Sequence, residues 1–308
     1  CNFISYLLRV HKMLYDVTII GGSYAGLSAA MPLARARRNI AIIDAGQRRN
    51  RFAEHSHGFL TQDGTRASEI VEIAKNQLEA YSTVHWKNGW VKQIAKIDEG
   101  FCICIDGVVS IQTKKIIIAA GVNDQLPEIS GLAERWGKTI FHCPYCHGYE
   151  LQQGKIGILA TSEHSLQLAM MLPDWGPTTL LLNGDDQLIH TEWHTSLQKR
   201  GVVVEPGFIQ EIRANAEVVF TDGKIIALDG LFVPTRTYIT QPWVAELGCE
   251  VEDTPFGQII KTSATKDTTV NGVFACGDIA RLGGSVPFAV ADGMMAGVSA
   301  HRSLVFNV

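Results

Sequence analysis

Tyr15-Asp16-Val17-Thr18-Ile19-Ile20-Gly21-Gly22-Ser23-Tyr24-Ala25-Gly26 decides the architecture. A short β-branched apolar run ends in a glycine-rich turn. An Ala-rich amphipathic stretch follows over residues 27–36, and a second apolar run, residues 40–43, stops at Asp44. Strand, tight turn, helix, strand and terminal acid is the order of a dinucleotide-binding unit. The turn and the helix N-terminus present N–H groups to a pyrophosphate, and the acid meets a ribose hydroxyl. The middle glycine of the G-x-G-x-x-G pattern is Ser23, whose small side chain still lets a pyrophosphate approach.

Two later stretches extend this reading. Residues 114–121 (KKIIIAAG) form a basic start, an apolar strand and a small-residue turn containing Ala120 and Gly121. Residues 272–278 (GVFACGD) form a strand ending in Gly277-Asp278, with a small-residue helix expected over 288–300. An Asp at that place can accept from the ribitol hydroxyls of FAD, and the helix N-terminus can face a flavin carbonyl. Between these stretches the βαβ pattern repeats, with a strand over 155–160, a helix over 165–172 and a strand over 179–182. Residues 201–205 and 230–233 read as further strands, and 98–106 and 217–224 as hairpins.

The expected fold is therefore α/β, with two Rossmann-like, three-layer ββα nucleotide-binding domains, the second inserted into the first. Residues 13–122 and 241–308 form the FAD domain, and 123–240 the inserted one. Residues 1–12 precede Met13 and read as an extension; they lack the basic region and small-residue cleavage site of a secretory leader.

His142-Cys143-Pro144-Tyr145-Cys146-His147-Gly148-Tyr149-Glu150 carries the chemistry. Two cysteines three apart can close a small disulfide ring, and the C-x-x-C spacing lowers a thiol pKa. His147, with an unperturbed pKa of about 6.5, can move a proton near neutrality. Half of a zinc site is the alternative, but the chain has no second C-x-x-C or H-x-x-x-H to complete four ligands. No metal is expected.

Hydrophobic residues make up 46% of the 308 and charged residues 19%, which fits a globular protein with full cores. A net charge of -4 leaves no basic footprint for nucleic acid. Seven cysteines with one close pair fit a reducing, cytoplasmic compartment holding one working disulfide. No apolar run reaches 18 residues, so no membrane span is expected.

In order, the motifs GGSYAG, AAG, CPYC, a second βαβ and GVFACGD resemble those of a low-molecular-weight thioredoxin reductase, over residues 14–304. The resemblance implies bound FAD, a homodimer and a protein or small-molecule dithiol or disulfide as substrate. It implies that Cys146 faces the flavin and Cys143 exchanges with substrate, with His147 where the family has an Asp. The FAD contacts it implies are Gly21, Ser23, Tyr24, Ala25, Asp44, Ala45, Arg51, Val91, Ala120, Gly121, Gly277, Asp278 and Phe288. Arg48, Arg49 and Arg51 read either as FAD-phosphate ligands or as a solvated basic turn.

The departures from the family narrow the reading. The inserted domain's phosphate turn is Ala160-Thr161-Ser162-Glu163-His164, with no glycine. Where a His-Arg-Arg cluster would hold the 2′-phosphate of NADPH, the chain reads Leu182-Asn183-Gly184-Asp185-Asp186. Each acid–phosphate contact at ~4 Å costs about 4 kcal/mol at an effective dielectric of about 20. The family's Arg-Gln pair near the flavin is replaced by Ser285-Val286. NADPH is thus not expected, and the resemblance moves to branches without it. The first is the diflavin-linked disulfide oxidoreductases, with a second FAD in the vacated domain, where Asn183 would meet a ribose or adenine edge. The others are the gliotoxin-type dithiol oxidases, which share Cys-Pro-x-Cys-His-Gly and pass electrons to oxygen, and the ferredoxin-linked reductases. Trp175 and Trp193 read either as stacking platforms or as packing. The expected activity is FAD-dependent dithiol oxidation through Cys143–Cys146, with His147 as general acid–base or as a structural loop histidine. An NADPH-dependent thioredoxin reductase and a flavin-binding sensor with a vestigial disulfide are the alternatives.

Overall fold

The computed structural model describes residues 14–188 and 191–307. The extension read at 1–12 lies outside them. In chain order the first half holds β1 (Leu14–Ile20), α1 (Tyr24–Arg35), β2 (Ile40–Asp44), a hairpin of β3 (His55–Ser56) and β4 (Thr65–Arg66), α2 (Ala67–Glu79), β5 (Val84–Asn88), β6 (Val91–Ile97), β7 (Gly100–Ile105) and β8 (Val109–Ile118). Then follow β9 (Ile140–Phe141), α3 (Pro144–His147), β10 (Ile156–Leu159), α4 (Glu163–Met171), β11 (Thr178–Leu181), α5 (Thr191–Lys199), β12 (Val203–Glu205), β13 (Ile209–Arg213), β14 (Ala216–Phe220), β15 (Ile225–Leu228) and β16 (Gly230–Phe232). The chain closes with β17 (Val251–Thr254), β18 (Gly257–Ile260), β19 (Val273–Ala275) and α6 (Val286–Phe306).

Two compact units result. The first comprises the described residues up to Arg49, Ser68–Asn123 and those from Thr237 on; the second comprises Asn50–Ala67 and Asp124–Arg236. Segment 50–67, expected with the first domain, groups with the second. Its anchors are long-range: a side chain on Gly137 would stand 2.6 Å from Phe52 Cβ, and His57 pairs with Glu150.

In the first unit the sheet runs β5-β2-β1-β8-β7-β6, with β19 also on β8. β5, β2, β1, β8 and β19 are parallel, and β6–β8 are antiparallel. β1 and β2 are almost continuously buried, as strands covered on both faces must be. One cover is α1 against α6. A side chain on Gly293 or Gly297 would overlap the carbonyls of Ala25 and Ala29, so small residues let the two helices touch backbone to backbone. In the second unit a parallel sheet runs β9-β16-β10-β11-β12, beside an antiparallel β13-β14-β15. The α/β reading with parallel sheets holds. Among the described residues, no helix is long and apolar enough to cross a membrane.

Candidate active site

In the first unit, strand ends converge on the glycine turn. Gly21 N–H donates to the Ile43 carbonyl at 2.8 Å, and Ala119 N–H to the Ile20 carbonyl at 2.8 Å. Cys276 N–H donates to the Ile118 carbonyl at 3.0 Å. Gly21 has φ +110°, and a Cβ there would overlap the Ala119 carbonyl oxygen. Gly22 N–H reaches Asp44 Oδ1 at 3.3 Å, and its missing Cβ leaves room for that carboxyl. Ser23 sits at the N-cap of α1, yet its hydroxyl makes no capping bond. Gly277, at φ +75°, leaves space beside Ala25, whose Cβ would be 2.8 Å from a substituent. Gly121 opens onto space, with nothing within 4 Å of a Cβ.

Gly21, Ser23, Tyr24, Ala25, Asp44, Ala120, Gly121, Gly277 and Asp278 thus share one edge of the sheet, with Ala45 next to Asp44. A glycine cradle, a helix N-terminus not closed by its own cap and an acid on the neighbouring strand fit a dinucleotide such as FAD. Asp278 is held by Arg49, whose Nη1 donates to Oδ2 at 2.9 Å. Arg51 instead lies in the second unit, its guanidinium 4.2 Å over the Phe52 ring. The cation at the Asp278 turn is therefore Arg49, which the basic run 48–51 signalled without distinguishing it. Val91 gives its carbonyl to Trp243 Nε1 at 3.1 Å. Phe288 starts α6 half-exposed, with Arg281 4.1 Å over its ring.

The second unit carries the dithiol. Cys143 caps α3 and Pro144 fixes its first turn, which brings the Cys143 and Cys146 sulfurs to 2.7 Å. Among the described residues these are the only cysteines not buried. Burial pushes the Cys102 and Cys249 thiols up, and Cys276 up to about 12, so those thiols stay protonated. Trp175 supports the turn from below. Tyr145 meets it edge-on at 5.3 Å, and a Cβ on Gly148 would stand 2.7 Å from its ring. Trp175 and Trp193 are both partly buried and pack against the unit's apolar core.

His147 stacks on Phe141, with centroids 4.3 Å apart and planes 20° from parallel. Burial, and then the charge of His57, push its pKa down to about 4. The near-neutral titration expected from sequence is thus corrected: at pH 7 the ring is uncharged, and its low basicity makes any proton it takes short-lived. The linkage sign follows. Between pH 6.5 and about 4 the unfolded chain binds a proton that the folded chain refuses. The stabilisation is whole above pH 6.5 and is lost as pH falls to about 4, at most about 3 kcal/mol. Urea midpoints of wild type should fall through that window, and His147→Phe should lack that part of the fall. Identical acid slopes in the two proteins would contradict the shift.

The inserted unit's phosphate turn is closed on itself. Ser165, fully buried, accepts from Thr161 N–H at 2.9 Å and Ser162 N–H at 3.3 Å through its Oγ. Ser165 N–H bonds the Ser162 carbonyl at 2.9 Å, and Thr161 Oγ1 donates to the Pro234 carbonyl at 2.8 Å. The residue type that leaves the first turn open therefore seals the second. Past β11, Asn183 is turned inward: its Oδ1 accepts from Ile209 N–H at 2.7 Å. That oxygen is engaged within the fold and is not presented to a ribose or adenine, as the sequence reading had it.

A profile described as pyridine nucleotide-disulphide oxidoreductase matches residues 15–293. Thioredoxin reductase sirT of Leptosphaeria maculans is 30% identical, over 92% of each chain. The crystal structure of an oxidoreductase from Agrobacterium tumefaciens is 53% identical, covers 96% of this chain and all of its own, and superposes with a TM-score of 0.94. The crystal structure of HlmI is 30% identical, covers 96% of this chain and 94% of its own, and has a TM-score of 0.88. With the glycine cradle on one unit and the partly buried cysteine pair on the other, these matches make the chain a member of the pyridine nucleotide-disulphide oxidoreductase family, a thioredoxin reductase-like, flavin-dependent disulfide oxidoreductase.

Proposed function

We propose that this enzyme oxidises a dithiol, protein or small molecule, through Cys143 and Cys146, with one FAD, with dioxygen as terminal acceptor and without a pyridine nucleotide. The closed turn at 160–165 carries this reading. Three N–H groups that a pyrophosphate would need are already bonded inside the protein. Asp185 and Asp186 stand where a 2′-phosphate needs cations. The same closed turn weighs against the second FAD that the diflavin resemblance implies, and favours the dithiol-oxidase branch.

FAD, when bound, supplies a two-electron acceptor that oxygen can re-oxidise. The chain's own residues do the thiol chemistry. A substrate thiolate attacks Cys143 Sγ, the Cys143–Cys146 bond breaks and Cys146 leaves as thiolate. The substrate's second thiolate attacks its own mixed-disulfide sulfur, and Cys143 leaves. The substrate is now a disulfide and the protein a dithiol, and bound FAD would supply the oxidation that returns Cys143 and Cys146 to their disulfide. His147 is the candidate general base for the attacking thiol; with its pKa pushed down to about 4 it holds that proton only transiently before solvent takes it.

Under anaerobic conditions, millimolar NADPH should leave the flavin absorbance unchanged, and dithiothreitol should bleach it within seconds. Readmitted oxygen should restore the colour with about one hydrogen peroxide per dithiol, as a two-electron balance requires. Rapid bleaching by NADPH would return the chain to the NADPH-dependent reductases. A flavin content near two per chain would restore the second FAD.

A further inference from the structure

Asp292 lies on the second turn of α6 and is buried, its side chain 10% exposed. Its Oδ1 takes two cations, Lys266 Nζ at 2.9 Å and Arg281 Nη1 at 3.3 Å. All three residues belong to the first unit. Asp292 Oδ2 and Arg281 Nε have no hydrogen-bond partner among the described residues. A buried ion cluster joined through one oxygen contributes little to stability, because desolvation of the ions offsets their attraction. Lys266 adds backbone strain, at φ +70°. Strain and desolvation thus meet in one place, and that place is the glycine cradle. Ala275 N–H, at the end of β19, donates to the Lys266 carbonyl at 3.0 Å. Arg281 directly follows the turn Gly277–Ala280. A Cβ on Gly293, the residue after Asp292, would overlap the carbonyl of Ala25 in the first turn of α1.

We infer that Asp292 is a positioning residue: it gathers Lys266 and Arg281 into a cationic cluster beside the Gly277–Asp278 turn, and this cluster raises the reduction potential of the bound flavin. The inference rests on FAD in the glycine cradle, and not on which electron donor or acceptor the enzyme uses. Two cations on one carboxylate leave one positive charge. The other ion pair at the turn, Arg49 with Asp278, is neutral as a pair. Asp267, next to Lys266, is exposed and held by the hydroxyls of Ser263 and Thr265, where solvent screens its charge. Two-electron reduction places negative charge on a flavin, so a positive neighbour favours the reduced form. A unit charge about 10 Å away, at an effective dielectric near 20, shifts such an equilibrium roughly tenfold. A higher potential favours flavin reduction by a dithiol.

The test is the flavin reduction potential of the holoprotein, measured anaerobically against a redox dye, in three variants. Lys266→Gln should lower it by ~30 mV, a tenfold shift in a two-electron equilibrium. Asp292→Asn should raise it, because the two cations lose their counter-charge. Lys266→Arg should keep the wild-type value. Lys266→Gln and Asp292→Asn break the same ion pair, so a merely structural role moves both in one direction, whereas the charge moves them in opposite ones. Urea midpoints on the same preparations show which variants are folded. If Asp292→Asn does not fold, the contrast between Lys266→Gln and Lys266→Arg decides. An unchanged potential in Lys266→Gln, or a shift of the same sign in Asp292→Asn, overturns the inference. Wild-type protein that binds no flavin overturns instead the cofactor reading on which it rests.

Discussion

Cys146→Ser should retain its flavin and lose dithiol-dependent flavin reduction by ~1,000-fold or more, because the thiolate is the nucleophile and a serine hydroxyl cannot replace it. The argument is one of elimination as well as motif. Every other described cysteine is buried, and burial raises three of those thiols. Among the described residues, the sulfur that stands 2.7 Å from Cys143 is that of Cys146, near enough for the two to close a disulfide. FAD retention follows because the glycine cradle belongs to the other unit. Cys143→Ser should differ in kind: it removes the thiol that meets substrate, yet leaves Cys146. Stopped-flow bleaching of the two variants with dithiothreitol makes the comparison. Normal turnover in Cys146→Ser, with none in Cys143→Ser, would reverse the roles of the two thiols.

How much of this was legible before the coordinates depends on the range of each interaction. β1, β2 and the C-terminal end of β8 were plain because strands buried on both faces read as mostly apolar, β-branched runs. The helices at 24–35 and 163–171 were found within a few residues, since their glycine or serine turns mark their starts. The strand ends bring Gly21, Asp44, Ala120 and Gly277 together as the motif order implies. What was hidden depends on distant partners. Segment 50–67 has strands of only two residues, and its anchors at Gly137 and Glu150 lie some hundred positions away. The pKa of His147 needed Phe141 and His57 beside it. The sealing of the inserted turn could have been suspected from the Ser162–Ser165 spacing, a helix-capping pattern. The absence of glycine pointed to the same conclusion for a weaker reason.

Gly21→Ala should cost about 3 kcal/mol or more in stability and lose most of the bound FAD. Two penalties add at this position. The backbone is at φ +110°, where a Cβ is strained, at a cost of order 1–3 kcal/mol. The new methyl would also overlap the Ala119 carbonyl, which is backbone and cannot swing aside. To make room, the end of β8 must move away from β1, although Ala119 N–H is bonded to the Ile20 carbonyl and Gly21 N–H to Ile43. That movement distorts the glycine turn proposed to hold the pyrophosphate, so flavin affinity and fold stability should fall together. Gly46→Ala is the matched control. It too has positive φ, +72°, but nothing lies within 4 Å of its Cβ. It should cost about 1 kcal/mol from backbone strain alone and keep its flavin. Flavin-to-protein ratio and urea midpoint, read on the same preparations, separate the two. Equal flavin content in Gly21→Ala and Gly46→Ala would show that the turn at Gly21 is not the pyrophosphate cradle.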